Sequence, residues 1–199
     1  MIFILLLLAG AGVRILALEQ LDWFMGSSLH VDEITYANGD SPPFERPPGT
    51  YLAASLSRNV KTLRLIFSLI SMLPSVFFFT LRRKTRLNSL LAGLLALEPT
   101  LAFSGLQVLP AAPAAALLTL ALCFREKPVL AGWIAGCAAL FRGELLLLAP
   151  LLLVMLRPGK LAWRTLAGFS GAVLPLMILN LVSGGSFSTG GNGPVNLLV

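Results

Sequence analysis

The chain has 199 residues, 56% of them hydrophobic and 12% charged, with a mean hydropathy of +0.84 and a formal net charge of +6. Such a composition excludes an ordinary soluble domain and belongs to the membrane class. The basic residues fall mostly in short gaps between apolar segments, where they set orientation across a bilayer, so nucleic acid is excluded as their partner.

A helix crosses the hydrocarbon with about 20 apolar residues, and the chain supplies seven segments that reach or approach that length. Residues 1–18 are an apolar run interrupted by Arg14. The run opens without a basic side chain and its apolar character resumes beyond Arg14, so it reads as a retained first span and not as the core of a secretion signal. Residues 19–61 form a polar loop, in which Trp23, Phe24 and Met25 are expected to lie on the membrane surface in a short amphipathic helix. The second span, 62–81, ends at Arg82-Arg83-Lys84-Thr85-Arg86, the densest basic cluster. A third span covers 87–103, and a fourth covers 108–124 with Pro110 and Pro113 in its opening turns, where proline is tolerated. The fifth and sixth segments, 128–141 and 145–156, are short, as tilted or incomplete spans would be, and they flank Arg142-Gly143-Glu144. The seventh, 161–182, leads to a Gly-rich tail over 183–199.

The pattern predicts an all-α polytopic integral membrane protein of about seven transmembrane helices, a single module over 1–199 without internal repeats. Its amino terminus is then cytoplasmic. The cytoplasmic gaps hold Arg82, Arg83, Lys84, Arg86, Arg125, Lys127, Arg157, Lys160 and Arg164, and the acidic loop lies on the external, periplasmic or luminal face. Cys123 and Cys137 sit inside apolar segments without metal-ligand spacing and read as small hydrophobic thiols.

The chemistry concentrates between His30 and Leu52, where Asp32, Glu33, Asp40 and Glu45 crowd around a single base, Arg46. Carboxylates at that density need water, metal or cations, and Pro47-Pro48 stiffens the chain that carries them. Glu45 is a candidate to share a divalent cation (Mg, Mn or Zn) with Asp32 or His30, since hard cations favour carboxylate oxygen. A lone histidine such as His30 is, however, more often hydrogen-bonded or solvated than metal-bound. Arg46 offers a planar fork suited to phosphate, its alternative being an ion pair with Glu45. Arg142 and Glu144, between two apolar segments, must be paired or solvated at membrane depth, which makes a functional reading the default and a local ion pair the alternative. Glu98, just before Pro99, is a further intramembrane charge, with Arg14 and Arg142 as expected partners.

The order Asp32-Glu33, Tyr36, then Phe44-Glu45-Arg46-Pro47-Pro48 through Tyr51-Leu52 resembles the first external loop of the GT-C membrane glycosyltransferases. The similarity is greatest to the branch of the protein O-mannosyltransferases and lipid A aminoarabinose transferases. Phe141-Arg142-Gly143-Glu144 resembles that family's Leu-Thr-Arg-Pro-Glu step with Phe and Gly in place of Thr and Pro. Ser188 to Leu197 is similar to its Asn-Gly-Gly-x-Asn-Leu segment with Asn192 displaced. The resemblance covers only the family's N-terminal helical module.

It implies a sugar donor carried on a polyprenyl phosphate. Phosphate is a good leaving group, so the site needs a carboxylate to take the acceptor's proton and positive charge to hold the departing phosphate. By the resemblance, Asp32 is the base and Glu33 orients a neighbour or binds acceptor. Arg46 and Arg142 hold the donor phosphate, and Tyr36, Glu144 and Asn196 contact substrate. The partners implied are a polyprenyl-phosphate sugar, membrane lipid and an acceptor that is protein, lipid or glycan. The expected function is inverting transfer to an acceptor hydroxyl on the non-cytoplasmic face. The alternative is a non-catalytic lipid-phosphate-binding or assembly subunit of the same fold, acting with a partner chain.

Overall fold

A computed structural model describes residues 2–24, 49, 59–81, 85–99, 102, 106, 110–156 and 162–182. All regular structure among them is helical. The helices are α1 (Ile2–Phe24), α2 (Val60–Leu81), α3 (Arg86–Leu97), α4 (Ala111–Cys123), α5 (Pro128–Ala139), α6 (Leu145–Leu156) and α7 (Ala162–Val182). The sequence-derived segments thus correspond one to one with helices. Among the described residues two stretches, Lys61–Leu81 and Ala162–Leu179, are long and apolar enough to cross a membrane.

Three boundaries differ from the sequence reading, each for a local reason. Trp23 and Phe24 continue α1 instead of starting a separate surface helix. Asn59 starts α2 before the expected Thr62, its side-chain oxygen accepting from the Lys61 and Thr62 amides at 2.9 and 3.5 Å. The third helix stops at Leu97 because Pro99 cannot supply the next backbone donor. Glu98 N–H turns back to the Leu95 carbonyl at 3.4 Å instead. At the other end of α3, Thr85 Oγ1 caps the Asn88 amide at 3.1 Å.

The helices alternate in direction. Phe3 stacks on Phe79 (ring centroids 3.8 Å apart) while Arg14 reaches Ser71, so α1 and α2 are antiparallel. Gly93 faces Leu6 and Gly10 faces Ala96, so α1 and α3 run parallel. In the second half, α5 and α7 run parallel as well, with Gly168 on Val129, Gly132 on Thr165 and Gly136 on Ala172. Two sub-bundles result, α1–α2–α3 and α4–α5–α6–α7, joined along α2 and α4. One end of the whole bundle gathers the start of α1, α3, α5 and α7. The opposite end gathers the close of α3 near Glu98, the start of α2, and the 140–144 turn.

The sub-bundles have different cores. That of α4–α7 is apolar and built from small residues, with Ala121, Ala135, Ala139 and Ala149 packed around Ile134, Phe169 and Val173. That of α1–α3 holds Arg14, Arg64, Ser68, Ser71 and Ser75, all buried. Meanwhile Leu8, Leu16, Leu69, Leu94, Leu147 and Leu179 point outward, each more than half exposed.

Backbone contact between α5 and α7 depends on Gly132, where an added Cβ would run into the Thr165 carbonyl and the Phe169 amide. Gly171, on the same helix pair, has open space around it. Gly132→Ala is therefore expected to lower stability by about 1–3 kcal/mol through overpacking, whereas Gly171→Ala is expected to be neutral or to gain up to about 1 kcal/mol of helix propensity. Unfolding midpoints of the two purified variants against wild type check this; equal shifts would contradict the packing described.

Candidate functional site

The buried polar face of α2 is a stripe at Arg64, Ser68, Ser71 and Ser75, spaced four, three and four residues apart, the repeat that keeps side chains on one side of a helix. Arg14 enters this stripe from α1. Its Nε donates to Ser71 Oγ at 2.8 Å, and one terminal nitrogen donates to the Gly10 and Ala96 carbonyls at 3.1 and 2.6 Å. The other terminal nitrogen is buried with no hydrogen-bond partner. The Ala96 carbonyl is free to accept because α3 breaks at Glu98-Pro99, so Arg14 serves as a cation at a helix C-terminus, where the macrodipole favours it. Gly10, one turn earlier, lets α1 come close enough to Ala96 for that reach. Ser71 Oγ donates onward to the Ser68 carbonyl at 2.7 Å, and Ser75 Oγ donates to the Ala92 carbonyl at 2.5 Å, tying α2 to α3.

Of the two partners expected for Glu98, the structure selects Arg14, which feels the Glu98 carboxylate electrostatically. Arg142 pairs within its own turn instead, Nε donating to Glu144 Oε2 at 3.2 Å with both side chains about half exposed (47% and 56%). Partial burial pushes the Glu144 carboxyl up, but the Arg142 hydrogen bond, a backbone amide and the Arg142 charge outweigh it and hold the group below its ordinary 4.5. Such an exposed pair is worth about 0–1 kcal/mol. It leaves Arg142 held in place at the bundle end without being sequestered.

The same turn receives the loop. Gly49 N–H donates to the Leu140 carbonyl at 2.9 Å, and Gly49 is buried so closely that a Cβ there would strike the Phe141 ring and the Leu140 oxygen. Gly49, three residues after Arg46 in sequence, is thereby tied to the 140–144 turn at one end of the bundle, the end where α2 begins near Arg64 and α3 closes near Glu98.

His30, Asp32, Glu33, Tyr36, Glu45, Arg46 and Asn196 lie outside the described residues, as do most of the 19–61 loop and the 183–199 tail. Among the described residues no three His, Cys, Asp or Glu side chains gather as a metal set. The carboxylates Asp32 and Glu45 would suit a hard cation by donor type alone. Sequence reasoning missed Arg64. It was absorbed into an apolar span, although the Arg64, Ser68, Ser71, Ser75 spacing marks a polar helix face.

Comparison with protein-family models, with curated proteins and with solved structures returns no match for this chain.

Two outcomes test the geometry. Arg14→Leu is expected to lose roughly 3 kcal/mol of stability, because three acceptors lose a buried charged donor; Arg14→Lys is expected to recover part of that, since an ammonium lacks the fork that spans α2 and α3. Unchanged unfolding midpoints in both would refute the clamp. For Glu144 the folded carboxyl titrates below 4.5, so the pair's contribution is complete above that value and is lost as pH falls through the lowered one. Carboxyl ¹³C titration should show the midpoint rising in Arg142→Gln, and an unmoved midpoint would mean that Arg142 does not hold the carboxylate.

Proposed function

We propose that this chain is an integral membrane glycosyltransferase of GT-C type that moves a sugar from a polyprenyl phosphate to an acceptor hydroxyl at the bundle end carrying Gly49 and Arg142. The bilayer part of the reading is supported by the leucine-rich outer surface, laid over a first sub-bundle that buries Arg14, Arg64 and three serines. In water such a coat would be an aggregation surface, whereas in hydrocarbon it is the favourable arrangement. Interior prolines at 74, 150 and 175 and small-residue helix contacts suit the same solvent. On this reading all seven helices cross or enter the membrane, the amino terminus is cytoplasmic, and the 140–144 turn faces outward.

The observation that carries the catalytic reading is the Gly49 amide bond to the Leu140 carbonyl. Three residues of chain span at most roughly 11 Å, so the Glu45-Arg46 step is tethered within reach of the turn that holds Arg142. Two guanidinium groups, from Arg46 and Arg142, would grip the donor's phosphate and stabilise it as it departs. Asp32 takes the acceptor's proton as the new bond to the anomeric carbon forms opposite the leaving phosphate, which inverts that centre. Glu33, Tyr36, Glu144 and Asn196 contact acceptor and sugar. A divalent cation shared by Glu45, Asp32 and His30 would add positive charge at the phosphate.

The exposed Arg142–Glu144 pair also fits a second reading, a non-catalytic lipid-phosphate-binding or assembly subunit, because it leaves a guanidinium open to a phosphate without placing a base for the transfer step. Release of labelled sugar from a panel of polyprenyl-phosphate sugars in membranes separates the two. Asp32→Asn is expected to lower turnover by about 10²–10⁴-fold with donor binding retained, and Gly49→Val to weaken donor binding by loosening the tether. Donor binding without turnover in wild type would establish the subunit instead, and absence of donor binding would end both readings.

A further inference from the structure

At the end of the bundle opposite Gly49 and Arg142, a groove of about 470 Å³ lies between the first turns of α5 and α7, lined by Lys127, Pro128, Val129, Leu130, Trp133 and Arg164. We propose that this groove binds the phosphate headgroup and upper acyl chain of an anionic phospholipid from the leaflet at that end. The inference rests on the membrane-spanning reading and concerns a site that the proposed sugar transfer does not use.

The lining has the character of such a lipid. Its accessible wall is mostly hydrocarbon, from Val129, Leu130 and the Trp133 ring, all exposed (54%, 38% and 52%), whereas its two charges are both positive. Lys127 Nζ sits 6.0 Å from the Phe124 ring centroid and the Arg164 guanidinium 5.7 Å from that of Trp163, so each cation rides on an aromatic at its rim. The nearby carboxylate, Glu126, is engaged by Arg125 at 3.5 Å, and among the described residues neither Lys127 nor Arg164 forms an ion pair.

The backbone adds to the charge. Helix α5 begins with Pro128, which has no N–H, and has no side-chain cap; the Lys127 and Ala131 amides donate to the Phe124 and Lys127 carbonyls, so the amides of Val129 and Leu130 are left for an external acceptor. The positive ends of the parallel α5 and α7 point to the same side. Two cations that form no ion pair among the described residues, over an apolar wall at helix ends, fit an anionic headgroup with its chain laid along Leu130 and Trp133. The volume falls in the roughly 300–1,000 Å³ range of ligand sites. A soluble anion would leave the apolar wall wet, and a neutral lipid would leave both cations unpaired.

The full-length chain, purified in neutral detergent, is titrated with phosphatidylglycerol, phosphatidylcholine or inorganic phosphate while its thermal unfolding midpoint is followed. Phosphatidylglycerol is expected to raise the midpoint saturably, and the other two are not. With each cation contributing roughly fivefold in affinity, the Lys127→Gln/Arg164→Gln pair should need roughly 25-fold more phosphatidylglycerol. Arg86→Gln, a cation at the same end but off the groove, should behave as wild type. Equal losses for Arg86→Gln and the pair would reduce the effect to general surface charge and overturn the site, as would an unchanged response in the pair. An equal response to inorganic phosphate would overturn the lipid as occupant. Alkaline carbonate extraction of membranes separates the two levels. Release of the chain would remove the membrane reading and this inference together, and retention with unselective lipid response would remove the inference alone.

Discussion

The structure turns on one buried cation. Arg14 stands in the middle of an apolar helix and needs acceptors there, because an unsolvated guanidinium is costly in any low-dielectric interior. Ser71 on α2 and the Ala96 carbonyl on α3 supply them, and the demand fixes how the first three helices meet. Gly10 must be small so that α1 can close on α3, α3 must stop so that its last carbonyls are free, and α2 must turn its serines inward. The break at Glu98-Pro99, which looks like a defect in an apolar helix, supplies both an acceptor and a compensating carboxylate.

The second sub-bundle is held differently. Its interior is alanine and glycine with a few large side chains, so the helices approach almost backbone to backbone. Close packing of that kind needs no hydrophobic driving force and works in lipid as well as in water. It also makes a rigid support. The 140–144 turn that holds Arg142 follows directly on α5, and α5 is packed closely on α7, so Gly49 is bonded to the close-packed half of the molecule. A site made from loop residues gains its precision from such an anchor.

Much of this was legible in the sequence. Among the described residues the seven apolar segments correspond to seven helices, Arg86, Arg125, Lys127 and Arg164 fall at one end, and the proximity in sequence of Arg142 and Glu144 already allowed their pair. Local signals were underused. Asn59 as a cap, Pro99 as a terminator and the inward stripe from Arg64 to Ser75 are all written in short spacings, but an apolar average over a span hides a single arginine. The Gly49 to Leu140 bond was not legible, because it joins segments some ninety residues apart and depends on how the two sub-bundles are joined. The assignment of Asp32, Glu33, Arg46 and their neighbours to chemistry rests on the resemblance of their order to a known family, which periodicity and packing do not address.

The central claim is that this bundle spans a bilayer with the Gly49–Arg142 end outward. Cysteine accessibility in sealed cells reads that directly, in a background where Cys123 and Cys137 are replaced by alanine. Gly143 has open space around it and Glu126 is exposed at the opposite end, so both accept a cysteine without repacking. A membrane-impermeant maleimide added outside should label Gly143→Cys and leave Glu126→Cys unlabelled until the cells are lysed. Labelling of Glu126→Cys alone would invert the orientation, and labelling of both or neither in intact cells would contradict the account.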